Sequence, residues 1–337
     1  MKNDFLQVWQ KLSTEERLAV FQETGKRRGL PASVIEKDWW VSLTLRIIFG
    51  MELAPHLVFK GGTSLSKGWQ LIARFSEDID LALDRNFLGF EGELSKNQVK
   101  MLRKKSHTYI SEVFVKDLNT AFYELGIDEV KIITGPITST DQDPLMVEIY
   151  YPGITEIIAY IEPQVLVEIG SRSLREPWTD RTISSMVGEE YAGKEFADSM
   201  FEIPCVNPER TFLEKIFLLH EEFQKPEENI RVDRLSRHLY DVQKIMSTTF
   251  AETALGNKEL YETIVMHRSH FTPVRGIDYT LHKPGLIQLI PPDKVLKDWQ
   301  KDYKAIRENM IHEESLPFED LMKEIELLQD RINKRNL

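Results

Sequence analysis

Asp78 and Asp80 stand two residues apart in the run Asp78-Ile79-Asp80-Leu81-Ala82-Leu83, where polar and apolar residues alternate. Such alternation marks a half-buried strand, so both carboxylates leave one face while Ile79, Leu81 and Leu83 enter the core from the other. Two carboxylates held that close repel each other, and a cation between them removes the penalty. Hard Mg²⁺ prefers oxygen ligands of this kind. A solvated strand face or a turn would show the same pair. Upstream, Gly61-Gly62-Thr63-Ser64 follows the short apolar run Leu57 to Lys60 and precedes a helical pattern. Glycines there admit close backbone approach, and free N–H groups at a helix start face an anion such as a triphosphate. Lys67, one helical turn on, adds a point charge. The bland reading of Gly-Gly is a tight turn, and the spacing is not that of a P-loop.

Phosphoryl and nucleotidyl transfer with two metal ions needs carboxylates that span cations about 3.5 to 4 Å apart, so a third acid is wanted. Glu168 suits the role. It sits in Val165-Leu166-Val167-Glu168-Ile169, a buried strand pattern with one acid on its other face, where an unpaired glutamate would be costly. Glu148, in Met146-Val147-Glu148-Ile149, is the alternative. Further on, Phe212, Ile216, Leu219 and Phe223 form one helical stripe with Lys215 on its margin, either leaning over a cleft or snorkelling to water. Arg234, His238 and Asp241 follow at i, i+4 and i+7 with Arg231 beside them, which is a polar constellation or a plain intrahelical salt bridge.

These residues need elements to hold them. Residues 4 to 25 read as an amphipathic helix broken at Ser13-Thr14, and a second helix from Pro31-Ala32-Ser33 to Ile48 is apolar on more than one side, as a helix between layers would be. Strand, glycine turn, helix (Thr63 to Ile72) and strand follow. A long helix over 95 to 125 ends at Gly126, and strands at 130–133, 145–150 and 164–169 complete the expected sheet. Beyond Pro204 the pattern is mostly helical, over 209–223, 230–247, 295–310 and 318–333. The segment from Arg268 to Asp293 is rich in turn residues yet too apolar for a disordered linker.

The 337 residues suggest a compact unit with a sizeable second one. The opening residues lack the apolar core of a secretory signal, and no run is long and apolar enough to span a membrane, so a cytoplasmic protein is expected. Cys205 is the single cysteine, which excludes an intrachain disulfide and a cysteine-rich zinc site. A net charge of −11 argues against broad attraction to nucleic-acid phosphates, so any RNA contact must be local. The densest cationic run is Lys96, Lys100, Arg103, Lys104 and Lys105, of which all but Lys105 fall on one broad helical face. That face is a moderate RNA-binding patch or merely a solvated surface.

Through these residues the chain resembles the AbiEii/AbiGii family of nucleotidyltransferase toxins. VFKGGTSLSKGWQLIARFSEDIDLAL, residues 58 to 83, looks like its first two motifs and includes the signature from Arg74 to Asp80. RTFLEKIFLLH (210 to 220) resembles the third and RLSRHLYDV (234 to 242) the fourth, in order. IEKDWW and DYKAIRENMIHEESLPFEDL look like flanking segments. The resemblance implies an α+β fold: a small mixed-sheet, DNA polymerase β-like core over 51–203, N-terminal helices over 1–50, and a largely helical domain over 204–337 that completes the cleft. It also implies transfer of a nucleotide from a nucleoside triphosphate (NTP), with Mg²⁺, expected as two ions, as cofactor and a toxin–antitoxin or abortive-infection pair as setting. Carried over by motif, Asp78, Asp80 and, less closely, Glu168 bind metal. Gly61, Gly62, Thr63, Ser64 and Lys67 hold the triphosphate, Lys215 reaches a phosphate, and Asp241 completes the catalytic set. No role passes to 246–300. The expected acceptor is RNA, such as a tRNA 3′ end, and a cognate antitoxin is a partner. The alternatives are a small-molecule or protein hydroxyl as acceptor, and a catalytically silent binding module.

Overall fold

The structure, a computed structural model, describes residues 4–76, 78–156 and 162–335. Helix α1 (Asp4–Lys11) and helix α2 (Thr14–Arg28) are separated by a capping box in which the Ser13 side chain accepts from Glu16 N–H and Glu16 answers the Ser13 N–H. Helix α3 (Ala32–Ile48) is buried along almost its whole length, as a helix apolar on more than one side would be. Trp39 stacks on Trp9 at 4.8 Å, and Trp40 on Tyr151 at 4.8 Å. Strand β1 (Leu57–Lys60) enters a short helical turn, α4 (Gly61–Thr63), that widens into a π-helical turn over Ser64–Gly68. The helix expected to reach Ile72 stops at Gly68. A Cβ on Gly68 would lie 2.8 Å from the Cys205 sulfur, and Gln70 has a positive φ of 53°, which breaks a helix.

Strand β2 (Asp78–Leu83) follows, then α5 (Lys96–Thr108), a π-helical stretch over Tyr109–Phe114, and α6 (Val115–Glu124). Strands β3 (Lys131–Thr134), β4 (Leu145–Tyr150) and β5 (Gln164–Gly170) come where the sequence pattern puts them. The sheet does not end there. Strand β6 (Trp178–Ile183), helix α7 (Met186–Glu190) and strand β7 (Phe201–Val206) extend it to seven strands in the order β3-β4-β5-β2-β1-β7-β6. The sheet is mixed, since β1 pairs antiparallel with β2 and β2 pairs parallel with β5.

The helices that follow are α8 (Pro208–Phe223), α9 (Arg237–Met246), α10 (Thr249–Gly256), α11 (Lys258–Phe271), α12 (Asp293–Asn309) and α13 (Phe318–Asn333). Contacts divide the chain into two compact units. Met1–Gly68 and Phe75–Cys205 form one, and Trp69–Arg74 with Val206–Leu337 forms the other. No helix among the described residues is long and apolar enough to cross a membrane.

Candidate active site

In the sheet unit, register decides which acids meet. Asp80 lies opposite Lys60 on β1 and opposite Glu168 on β5, while Asp78 lies opposite Leu166. Glu168 therefore shares a face with the two aspartates, one strand away at about 4.8 Å spacing. Glu148 is opposite Leu166 on β4 and so sits two strands from Asp78, roughly 10 Å. Its carboxylate accepts a hydrogen bond of 2.7 Å from the Tyr150 hydroxyl. Asp78, Asp80 and Glu168 are half-buried.

The glycine turn meets the same point. Gly61 has a φ of +79°, and a Cβ on it would fall 1.8 Å from Asp80 Oδ2, so the carboxylate lies over a position that only glycine leaves open. Thr63 is buried, with its hydroxyl 2.5 Å from the Asp78 carbonyl oxygen, to which it donates, and 2.8 Å from Ser76 Oγ. Ser64 is buried beside Cys205, whose thiol is pushed up to about 12 by burial against the opposing Ser64 hydroxyl. Both side chains therefore face the protein, and Thr63 ties the turn to the start of β2. Lys67 points its ammonium at Asp38 of α3, an ion pair in which both partners are largely buried, and the second Asp38 oxygen accepts the Met186 N–H at 2.7 Å. Glu77 of the signature lies outside the described residues.

Among the described residues no three His, Cys, Asp or Glu side chains form a ready-made metal cage. The donor set still fits Mg²⁺, which is usually held by one or two carboxylates together with substrate phosphates.

The helical unit contains a different arrangement. Arg74 grips Asp241 with two hydrogen bonds, Nε to Oδ1 at 2.6 Å and Nη2 to Oδ2 at 2.7 Å, and Lys215 Nζ lies 2.8 Å from Oδ2. All three are buried, so Lys215 does not snorkel. Burial would raise the Asp241 carboxyl, but Arg74 and Lys215 outweigh it and hold the group far below the usual carboxylate range. Burial lowers the Lys215 ammonium, with Asp241 opposing. Burial, reinforced by Lys215, pushes His238 well below its ordinary value, so its neutral ring can accept from Lys215 at 3.3 Å through Nδ1.

The four-residue polar face expected around His238 is only half present. Arg234 has a φ of +58° and precedes α9, its N–H bonding Asp302 at 2.7 Å, and Arg231 pairs with Glu222 at 2.7 Å. Two partners escaped the sequence reading: Arg74, four residues before Asp78, and Asp38 inside IEKDWW. Charged residues within a helix apolar on more than one side, Asp38 among them, were the signal available.

The AbiEii family of nucleotidyltransferase toxins of type IV toxin–antitoxin systems matches residues 46–324. The chain belongs to this family. It is therefore a nucleotidyltransferase, and a nucleotide substrate and a cognate antitoxin go with AbiEii membership. Comparison with curated proteins finds no match. Among solved structures the chain is similar to the nucleotidyltransferase toxin MenT4 from Mycobacterium tuberculosis, at 14% identity over 93% of this chain and 99% of that one, with a TM-score of 0.42. It is also similar to JHP933 from Helicobacter pylori, at 15% identity over 88% and 92% of the respective chains, with a TM-score of 0.43.

Proposed function

We propose that this AbiEii protein, acting in the cytoplasm, moves a nucleoside monophosphate from an NTP to a hydroxyl of RNA, at a tRNA 3′ end, with Mg²⁺ held by Asp78, Asp80 and Glu168. The observation that carries this reading is the closeness of Asp80 to Gly61, which brings a metal-binding carboxylate against the turn that would hold phosphates. Backbone N–H groups of Gly61, Gly62 and Thr63 hold the triphosphate, with Ser64 closing the turn through its N–H to the Gly61 carbonyl, and Lys67 adds charge that it shares with Asp38. Lys215, oriented by Asp241, gives a positive charge to a phosphate oxygen.

Asp80 takes the proton of the attacking hydroxyl. The acceptor oxygen bonds to the α-phosphorus as the α–β bridging bond breaks, and pyrophosphate leaves with that electron pair. Held by Asp78, Asp80 and Glu168, Mg²⁺ would supply the positive charge that offsets charge developing on the transferring group.

Incubation with each α-labelled NTP, magnesium and total RNA in a cell extract tests the reading. Label in RNA is expected. Label confined to protein or to small molecules would overturn the acceptor assignment.

A further inference from the structure

Helix α5, Lys-Asn-Gln-Val-Lys-Met-Leu-Arg-Lys-Lys-Ser-His-Thr, carries five Lys or Arg and no acid in 13 residues. The whole chain has the opposite balance, 43 basic to 54 acidic residues. Val99, Leu102 and Ser106 are the buried side of the helix, and Lys100 and Lys104 are exposed, with Arg103 half-buried near them. A solvated helix would need nothing beyond this. Here the cationic face is joined to the sheet.

The chain ahead of β4 makes the joint with two acids. Asp141 accepts from Arg103 Nε through its carbonyl oxygen at 2.9 Å, and its carboxylate lies 3.4 Å from Arg103 Nη2. Buried Asp143 accepts from Ser171 N–H at 3.0 Å, lies 3.3 Å from the Ser106 hydroxyl of α5, and sits 3.6 Å from Arg172 Nε. Carboxylates two residues apart thus draw together one arginine from α5 and another just past the end of β5. Burial lowers the Arg172 guanidinium and Asp143 opposes it, while Arg103 adds repulsion. Arg172 stands two residues past the end of β5, so the cationic group abuts the strand that carries the proposed third carboxylate. Like charges held in one place are relieved by an anion, and guanidinium groups suit phosphate oxygens in particular.

We infer that Lys100, Arg103, Lys104 and Arg172 form the surface along which the sugar–phosphate backbone of the acceptor RNA lies as its 3′ end approaches the sheet carboxylates. The inference rests on the RNA reading proposed above. Asp141 and Asp143 against four cations leave the surface net positive, and its place at the end of β5, the strand of Glu168, gives it a direction.

The test uses the full-length protein, tRNA and an α-labelled NTP over roughly 50 to 200 mM salt. Lys100→Glu with Lys104→Glu changes exposed side chains only and should fold as the parent does. Its Michaelis constant for tRNA should rise at least about tenfold, and the slope of log affinity against log salt should flatten by about 1.4, the share of two phosphate contacts on a single strand. The constant for NTP should stay within about twofold. Arg172→Gln should weaken tRNA use in the same direction, and if that variant fails to fold the lysine pair decides alone. A lysine-pair variant that labels tRNA with the parent's constant and salt slope overturns the inference. A parent that labels no RNA at all overturns the RNA reading itself, a different result.

Discussion

Asp80 and Asp241 are both aspartates of family motifs, yet their surroundings are opposite. Asp80 is half-buried, has a second acid in register on the next strand and rests against a glycine. Asp241 is completely buried and is gripped by two cations, the nearest atom at 2.6 Å. Acids in register on adjacent strands, with Lys60 also in the row, repel each other and suit a divalent cation. A carboxylate saturated by fixed cations instead orients them. The sheet acids therefore suit metal and substrate, and Asp241 suits the positioning of Lys215.

The contrast is broken most sharply by charge removal in the buried cluster. Asp241→Asn leaves Arg74 and Lys215 facing each other without their counter-ion, and should cost about 3–5 kcal/mol in denaturant unfolding. A loss below about 1 kcal/mol would mean that the cluster is solvated. Asp80→Asn should do the reverse, leaving the unfolding midpoint near the parent's and lowering transfer by about 10²–10³-fold. Asp78→Asn should behave alike. Gly61→Ala, which drives a methyl into the Asp80 carboxylate, should lower transfer comparably and add about 1–2 kcal/mol of backbone strain.

Acid titration gives a smaller effect in the helical unit. His220 accepts the Gln288 N–H at 3.0 Å through Nδ1, and burial, with His282 nearby, brings it down to about 4. Between about 6.5 and that value the unfolded chain binds protons that the native state refuses. Stability present above pH 6.5 should therefore fall as pH drops, by about 2 kcal/mol at pH 5 from His220 alone, with His238 adding to it. Urea unfolding at pH 7 and pH 5 measures this, and His220→Gln should flatten the difference. An effect of similar size concerns Lys67 and Asp38. Lys67→Met and Asp38→Asn should each cost about 1–3 kcal/mol, and the double variant less than their sum, as a shared ion pair requires. Strict additivity would show that the two act separately.

Much of this was legible from residue pattern. Helix α3 is apolar on more than one side because it is buried along almost its whole length, and the alternation of β2 sets Asp78 and Asp80 on one face. Strands β6 and β7 were not legible. Trp178–Ile183 is mostly exposed and so lacks an apolar face, while β7 contains Pro204, which demotes a run as a strand. The fourth motif misled for a local reason: a left-handed Arg234 interrupts what periodicity reads as one helix. Carboxylate pairing across strands was also hidden, since Glu168 and Glu148 share a pattern and only register separates them.

That separation offers the most direct test of the central claim, which is that the sheet face formed by β2 and β5 is the catalytic one. Transfer of an α-labelled NTP to RNA with magnesium should be compared for the parent, Glu168→Gln and Glu148→Gln, after all three are shown to unfold alike. Glu168→Gln should lose about 10²-fold or more, and Glu148→Gln should stay within about threefold of the parent. Full transfer by Glu168→Gln, with loss on Glu148→Gln, would contradict the account.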